Sequence, residues 1–254
     1  MKRQIVHSVL KHTFIFLVFA LSLSSCKENG LETAGVEEAD AADAVAASLG
    51  DGDATNGLAA QMSDAVILSE PASSETLKSI EIPSVEFSNF DTTISKVKNT
   101  GTRTYNYQFS YAYALNTPPT SATFTYSMKG TYDLPRVSSN DSANASLTIG
   151  GILPTATAFS VNGTYTRNGS QTSKVRQKAV FTSTISLTVS NLQVSRATKR
   201  ILSGTASGTI AVALSTGSSA TYTVSITFLG NQAATVVVNG KSYSVNLTNG
   251  ETAE

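Results

Sequence analysis

The side chains that most often do chemistry are scarce in this sequence of 254 residues. Its one cysteine is Cys26, and both of its histidines, His7 and His12, precede that cysteine. The sequence from residue 27 onward therefore has no thiol and no imidazole. This excludes Ser-His-Asp and Cys-His catalytic arrangements there, along with zinc sites built from histidine or cysteine.

Carboxylate chemistry is also hard to assemble from the second half of the chain. Beyond residue 99 the acidic residues are Asp133, Asp141, Glu251 and Glu254. A glycosidase pair, whose carboxyl groups stand roughly 5–9 Å apart, would need partners from the N-terminal part. The sequence has no Gly-x-Ser-x-Gly nucleophile motif. We expect a protein that is not an enzyme and that carries no cofactor and no metal.

The residues before Cys26 have the parts of a secretory signal. Basic residues open the chain, and an apolar run over residues 14–21 follows. That run is shorter than the roughly 20 apolar residues of a spanning helix, and it suits the hydrophobic part of a signal peptide. The segment ends in Leu23-Ser24-Ser25-Cys26, an aliphatic and two small residues before the cysteine.

This motif resembles the lipobox of bacterial lipoproteins. The resemblance implies that residues 1–25 are a signal peptide that is removed, and that Cys26 is acylated as the new N-terminus. Two or three acyl chains anchor a protein firmly, because each buried CH₂ contributes about 0.8 kcal/mol. We therefore expect the membrane to be a partner through N-terminal lipid. The alternative is an ordinary secretory signal with a chance cysteine.

The residue after the cysteine bears on localisation. It is Lys27, and in proteobacterial lipoproteins the absence of aspartate there favours the outer membrane. Cys26-Lys27-Glu28 weakly resembles the charged export tags of Bacteroidota surface lipoproteins; the alternative is a solvated linker.

Asp91-Thr92-Thr93 and Asp141-Ser142-Ala143 resemble O-glycosylation sites of the same group. We expect a Bacteroidota-type lipoprotein on the outer membrane, with its periplasmic or surface side left open.

Charge is divided unevenly along the chain. Residues 27–99 hold 14 acidic and 4 basic residues, a net charge of −10, whereas residues 100–254 hold 11 basic and 4 acidic residues, a net charge of +7. The two parts are expected to attract each other, which favours docking of the N-terminal part on the rest. The basic part is too mildly charged for a nucleic-acid binder, so we expect no nucleic-acid partner.

Periodicity divides the mature chain into three parts. Residues 26–36 are predicted to be a tether, and residues 37–70 two short helices separated by Gly50 and Asn56-Gly57. From residue 71 to residue 254, apolar and polar residues alternate in about ten runs. A first strand is predicted around residues 80–87, interrupted by Pro83.

Turn signals between the runs predict an antiparallel meander. They include Asn239-Gly240, Gly217-Ser218, Asn168-Gly169 and the stretch from Ser138 to Asn144. The predicted fold class is mainly β: one large antiparallel sheet that is curled, forms a half-barrel or closes into a barrel. The two helices are expected to cover only part of its apolar face.

Two groups of residues are candidate binding sites. The alternating aromatics of one run indicate either core packing or the lining of a ligand groove: Tyr105, Tyr107, Phe109, Tyr111 and Tyr113. Four basic residues indicate either a patch for anionic glycan or lipid headgroups, or a solvated edge: Arg167, Lys174, Arg176 and Lys178.

These observations favour a membrane-anchored envelope lipoprotein with a non-enzymatic structural or interaction role, whose partner would be an envelope protein, glycan or lipid. The alternative is a carrier of an apolar, lipid-like ligand in a groove of the curved sheet.

The Cys26→Ala substitution is expected to abolish acylation. Mass spectrometry of the wild-type protein from the membrane fraction should show a chain that begins at residue 26 and carries two or three acyl chains. Ser25→Ala is the matched control, because it keeps a small residue before the cysteine and should leave acylation intact. A wild-type protein that is cleaved but carries no lipid would contradict the lipobox interpretation.

Overall fold

A computed structural model describes residues 36–52, 54–73, 94–118 and 120–253 of the chain. The signal peptide, Cys26, most of the tether, the strand predicted around residues 80–87 and the Asp91-Thr92-Thr93 motif lie outside the described residues. Within them, no helix is long and apolar enough to cross a membrane.

Two helices open the described part, as predicted. Helix α1 spans Glu38–Leu49 and helix α2 spans Leu58–Ser73. Acidic residues in the first turn of α1 suit the positive end of its dipole. The connection is a tight turn, in which the carbonyl of Asp51 accepts the backbone N–H groups of Ala54, Thr55 and Asn56 at 3.1, 3.2 and 3.0 Å. Gly57 fits against α1 because an added Cβ would lie 2.4 Å from the Ser48 carbonyl oxygen.

The remainder is one antiparallel sheet. Its eleven strands are β1 (Ile94–Asn99), β2 (Thr104–Leu115), β3 (Ser121–Asp133), β4 (Val137–Gly150), β5 (Ala158–Ser173), β6 (Val180–Ser195), β7 (Ile201–Leu214), β8 (Ser219–Gly230), β9 (Ala233–Val238), β10 (Lys241–Asn246) and β11 (Glu251–Thr252). Each strand pairs with its chain neighbours, so the order in the sheet is the order in the chain. The sheet is curled and unclosed, which confirms the predicted fold class and selects the open form.

Two of the predicted turns are wrong. Asn168-Gly169 lies in the middle of β5, and the stretch Ser138 to Asn144 lies within β4. Both stretches look like turns because polar residues take inward positions there, which interrupts the apolar alternation. By contrast, Gly217-Ser218 and Asn239-Gly240 do connect strands, and Asn239 and Gly240 have the positive φ angles of 50° and 87° that favour these residue types.

Helix α1 is surrounded by the sheet. It contacts β4, β5, β7, β9, β10 and β11, and α2 contacts β4 and β6. Every residue from Asp40 to Leu49 is buried. A helix that is buried on all sides has no need of an amphipathic pattern, and its many alanines allow close approach of the strands. The helices therefore fill the interior more completely than the sequence indicated.

Ala46→Leu is expected to lower the free energy of unfolding by about 1–3 kcal/mol, because Ala46 is fully buried and extra methyl groups overpack a filled interior. Urea denaturation measures the effect. Ala197→Leu in an exposed turn makes the same chemical change and is expected to shift stability by less than about 0.5 kcal/mol. Equal effects at the two positions would contradict the enclosed position of α1.

Candidate functional site

The aromatic residues of β2 point into the interior of the curled sheet. Tyr105, Tyr107, Phe109, Tyr111 and Tyr113 are all buried, with exposed fractions between 0% and 8%. Successive rings from Tyr105 to Tyr111 lie 5.7–5.9 Å apart between centroids. The Phe124 ring on β3 continues the stack, 5.7 Å from Tyr111. These distances are those of stacked and edge-to-face aromatic pairs.

Two hydroxyl groups of this row, those of Tyr105 and Tyr111, bind the helical segment. Tyr105 donates a hydrogen bond to the Gly52 carbonyl at 2.9 Å, and Tyr111 donates one to Asp64 Oδ2 of α2 at 3.0 Å. Burial, together with the Asp64 carboxylate, raises the pKa of the Tyr111 phenol far above its ordinary value. The row is thus part of a core shared with the helices. A ligand on the inward side of the row would have to displace α2, because Tyr111 is bonded to Asp64 of that helix.

A buried ion pair lies next to the aromatic row. Arg167 of β5 and Asp141 of β4 have exposed fractions of 2% and 5%, and Arg167 Nε lies 2.5 Å from Asp141 Oδ2. Arg167 also donates to the hydroxyl oxygens of Tyr107, at 2.7 Å, and Tyr165, at 3.5 Å. Tyr165 in turn donates to the Ser48 carbonyl of α1 at 3.1 Å. One guanidinium therefore connects three strands with α1.

Glycines in the sheet make room for this pair. Asp141 is opposite Gly130 on β3 and Gly169 on β5. An added Cβ at Gly130 would lie 2.0 Å from the Asn106 carbonyl oxygen, and one at Gly169 would lie 2.4 Å from Gln171 Nε2. The inward positions on both sides of Asp141 thus carry no side chain, and the long side chains of neighbouring rows occupy that space.

The environment of the pair is polar but incompletely hydrogen-bonded. Burial raises the pKa of the Asp141 carboxyl, against the opposing charge and hydrogen bond of Arg167. Burial lowers the pKa of Arg167, but Asp141 and the surrounding tyrosines outweigh this, and the net pKa lies above its ordinary value. Asp141 Oδ1, Ser139 Oγ, Gln171 Oε1 and Ser183 Oγ have no partner within the described ranges.

The pair is not among the sites predicted from the sequence, although the sequence contains a signal for it. Asp141 was assigned to a turn, and Arg167 to a surface patch. Both residues have the parity of the inward-facing apolar residues on their own strands, Leu147 on β4 and Tyr165 on β5. Extending the alternation through the polar positions predicts that both charges point inward.

The predicted basic patch is not formed. Arg167 is in the interior, and the other three residues lie in the loop between β5 and β6. Arg176 Nη1 binds Asp40 and Asp43 of α1 at 2.7 and 2.8 Å, and Lys174 pairs with Asp133. Lys178 is exposed. The carboxylates of the helix and of β3 thus take up two of the charges that the prediction assigned to a ligand.

The N-terminal part of α1 is fixed by further polar contacts. Asp43 Oδ1 accepts from Arg136 Nε at 3.1 Å and from Thr252 Oγ1 at 2.5 Å, and Asp40 Oδ1 accepts from Ser173 Oγ at 2.8 Å. Lys199 after β6 pairs with Glu70 of α2. These contacts join the acidic N-terminal part to the basic remainder, as expected from the attraction between their opposite charges.

The outward face of the central sheet carries no charge. Strands β4 to β9 contain only two charged residues, and these are the inward-facing pair Asp141 and Arg167. The outward positions are mostly serine, threonine and asparagine. Two adjoining shallow depressions, of about 490 and 320 Å³, lie on the outer face and share Lys129 and Asn140 in their lining. Ser142 of the predicted glycosylation motif lines the larger one.

Comparisons with known proteins give no family: no family model, no curated protein and no solved structure matches this chain. Within the described residues, no group of three or more His, Cys, Asp or Glu side chains is arranged to hold a metal ion. The structural features that carry a functional argument are therefore the filled interior, the buried pair and the uncharged outer face.

Asp141→Asn and Arg167→Met are each expected to lower the free energy of unfolding by about 3–5 kcal/mol, because each leaves a buried charge without its partner. The double variant is expected to lose much less than the sum of the two. Urea or guanidinium denaturation of the four proteins gives the coupling energy.

The surface pair Lys174–Asp133 is the matched control. Its two side chains are 36% and 56% exposed, so Lys174→Met is expected to cost less than about 1 kcal/mol. Additive effects of the Asp141 and Arg167 substitutions would contradict a direct interaction between these two residues.

Proposed function

We propose that this chain is an outer-membrane lipoprotein, anchored through acylated Cys26, that acts without catalysis by presenting its β domain to an envelope partner. The lipobox-like motif supports the anchor. The lack of histidine and cysteine after residue 26 supports a non-catalytic role. The charge of the mature chain and its location argue against nucleic acid as the partner.

The observation that carries this proposal is the filled concave side of the sheet. Helices α1 and α2 occupy the space beside the aromatic row, and the hydroxyls of Tyr105, Tyr111 and Tyr165 donate hydrogen bonds to the helical segment. A partner therefore meets the outer face and the rims of the domain. A rigid sheet behind that face suits recognition, because it holds the exposed side chains at fixed spacing.

Photo-crosslinking in the native envelope tests this function. A photoreactive amino acid at Asn140, on the outer face of β4, or at Asn168, on the outer face of β5, is expected to yield a discrete adduct in the membrane fraction. The same amino acid at the buried position Leu187 is the control and is expected to yield none. The absence of any adduct at outward positions, together with a soluble wild-type protein, would overturn the proposal.

The alternative function, a carrier of an apolar ligand, is favoured by one observation at the interface between the helices and the sheet. Gln61 Oε1 of α2 and the Tyr126 hydroxyl are buried and have no partner within the described part of the chain. Buried polar groups of this kind are costly, so the position of α2 is not ideal for the groups around it. A ligand that displaces α2 would contact the aromatic row of β2 in its place.

Native mass spectrometry separates these two functions. The full-length lipidated protein is expected to carry only the acyl chains on Cys26. One further lipid bound per chain, which survives dilution of the detergent and is lost from a Phe109→Asp variant, would replace the interaction role by the carrier role. The Thr223→Asp variant on the outer face provides the control for added charge.

A further inference from the structure

A shallow depression on the outer face is lined mainly by uncharged polar side chains, and we name it the outer trough. It crosses β2 to β6 and joins the two depressions described above. Its carboxamides come from Asn106, Gln108, Asn140 and Asn168, and its hydroxyls come from Thr131, Ser142, Ser170, Thr182 and Thr184.

The strand register aligns these residues in two rows across the sheet. One row runs from Asn106 through Thr131, Asn140 and Ser170 to Thr182; the other runs from Gln108 through Lys129, Ser142 and Asn168 to Thr184. Five strands at about 4.8 Å spacing give a length of about 19 Å. The trough therefore presents a hydrogen-bonding group at every strand, at regular intervals along its length.

Most of these groups are available to a ligand. Thr184 Oγ1 donates to Asn168 Oδ1 at 2.8 Å, which orients the Asn168 carboxamide and leaves its NH₂ group as a donor. Asn140, which like Lys129 lines both depressions, is exposed and makes no side-chain hydrogen bond to any other described residue. A carboxamide offers two donors and an acceptor with two lone pairs.

The chemistry of the outer trough selects among classes of ligand. The trough has one cation, Lys129. A polyanion needs many basic contacts to bind, so it does not suit this surface. The lining has no large apolar side chain to bury against a hydrophobic partner. What remains is an elongated, uncharged ligand with many hydroxyl or amide groups. The strand spacing is close to the advance of one sugar ring along an extended polysaccharide.

We propose that the outer trough binds an extended, uncharged glycan chain. This inference rests on the proposed function and names its partner. The trough contains no aromatic side chain on which a sugar ring stacks, so each sugar is held by hydrogen bonds alone and contributes little. Binding then depends on the number of strands that one chain spans, and it strengthens with glycan length up to the length of the trough.

The test uses the full-length lipidated protein in detergent micelles. Isothermal titration calorimetry with the uncharged oligosaccharides cellohexaose and chitohexaose is expected to detect binding of at least one of them. The corresponding disaccharide is expected to bind more weakly, and sulfated heparin fragments are expected not to bind. No binding to either hexasaccharide overturns the proposal, as does binding that does not depend on glycan length.

Variants locate the site. The double substitution Asn140→Ala with Asn168→Ala is expected to weaken hexasaccharide binding about tenfold, the loss expected when two hydrogen-bonding side chains are removed. Thr223→Ala with Ser225→Ala changes the same face on β8, outside the trough, and is expected to leave binding unchanged. Urea denaturation checks that both variants are folded. Equal affinities for the two variants overturn the assignment to the trough.

Two further outcomes separate this inference from the proposed function. If the crosslinking experiment yields a protein adduct and no glycan binds, the proposed interaction function stands and the glycan-binding inference is overturned. Sedimentation that shows a dimer broken by the Asn140 and Asn168 substitutions overturns it as well, because the face then pairs with a second copy of the chain.

Discussion

The ion pair between Asp141 and Arg167 is the constraint on which the arrangement of the sheet depends. These are the only charges in six consecutive strands, and they lie on the inward side. Arg167 is opposite Ala143, and Asp141 is opposite Gly169, so the two meet diagonally across β4 and β5. A slip of one residue would turn every side chain of a strand to the other face. A slip of two would separate the charges inside the core. The ion pair therefore disfavours both changes of strand register.

The position of α1 depends on the same guanidinium. Arg167 binds Tyr165, and Tyr165 donates to the Ser48 carbonyl near the end of the helix. At the other end of α1, Asp40 and Asp43 are held by Arg176, Arg136, Ser173 and Thr252. Alanines between these ends allow the surrounding strands to approach closely. The helix is therefore positioned along its length by polar contacts at both ends and packed by small side chains between them.

The sequence predicts the helices and strands better than it predicts which residues lie in the interior of the curled sheet. Alternation and turn residues predict the antiparallel meander, and the acidic Ala-rich stretch followed by Gly50 predicts α1. The interior was misjudged where polar residues point inward, as at Asp141 and Arg167, because a polar residue in an alternating run resembles a turn or a surface. The sequence left open whether the aromatic row packs in the core or lines a groove, since the contact between Tyr111 and Asp64 that covers it joins residues 47 positions apart. Such contacts depend on the tertiary path of the chain.

The distribution of charge connects the core to the surface. Exposed protein surfaces ordinarily mix many acidic and basic residues, which keeps them soluble and apart. Here the charges near the sheet are on β1, β3, β10 and β11, in the loops or in the interior, while the outer face from β4 to β9 carries mainly hydroxyl and carboxamide groups. The stability of the fold does not require that choice, because outward positions on these strands touch solvent and would accept lysine or glutamate. Neutrality across six strands is therefore better explained by what the face meets than by how the sheet folds.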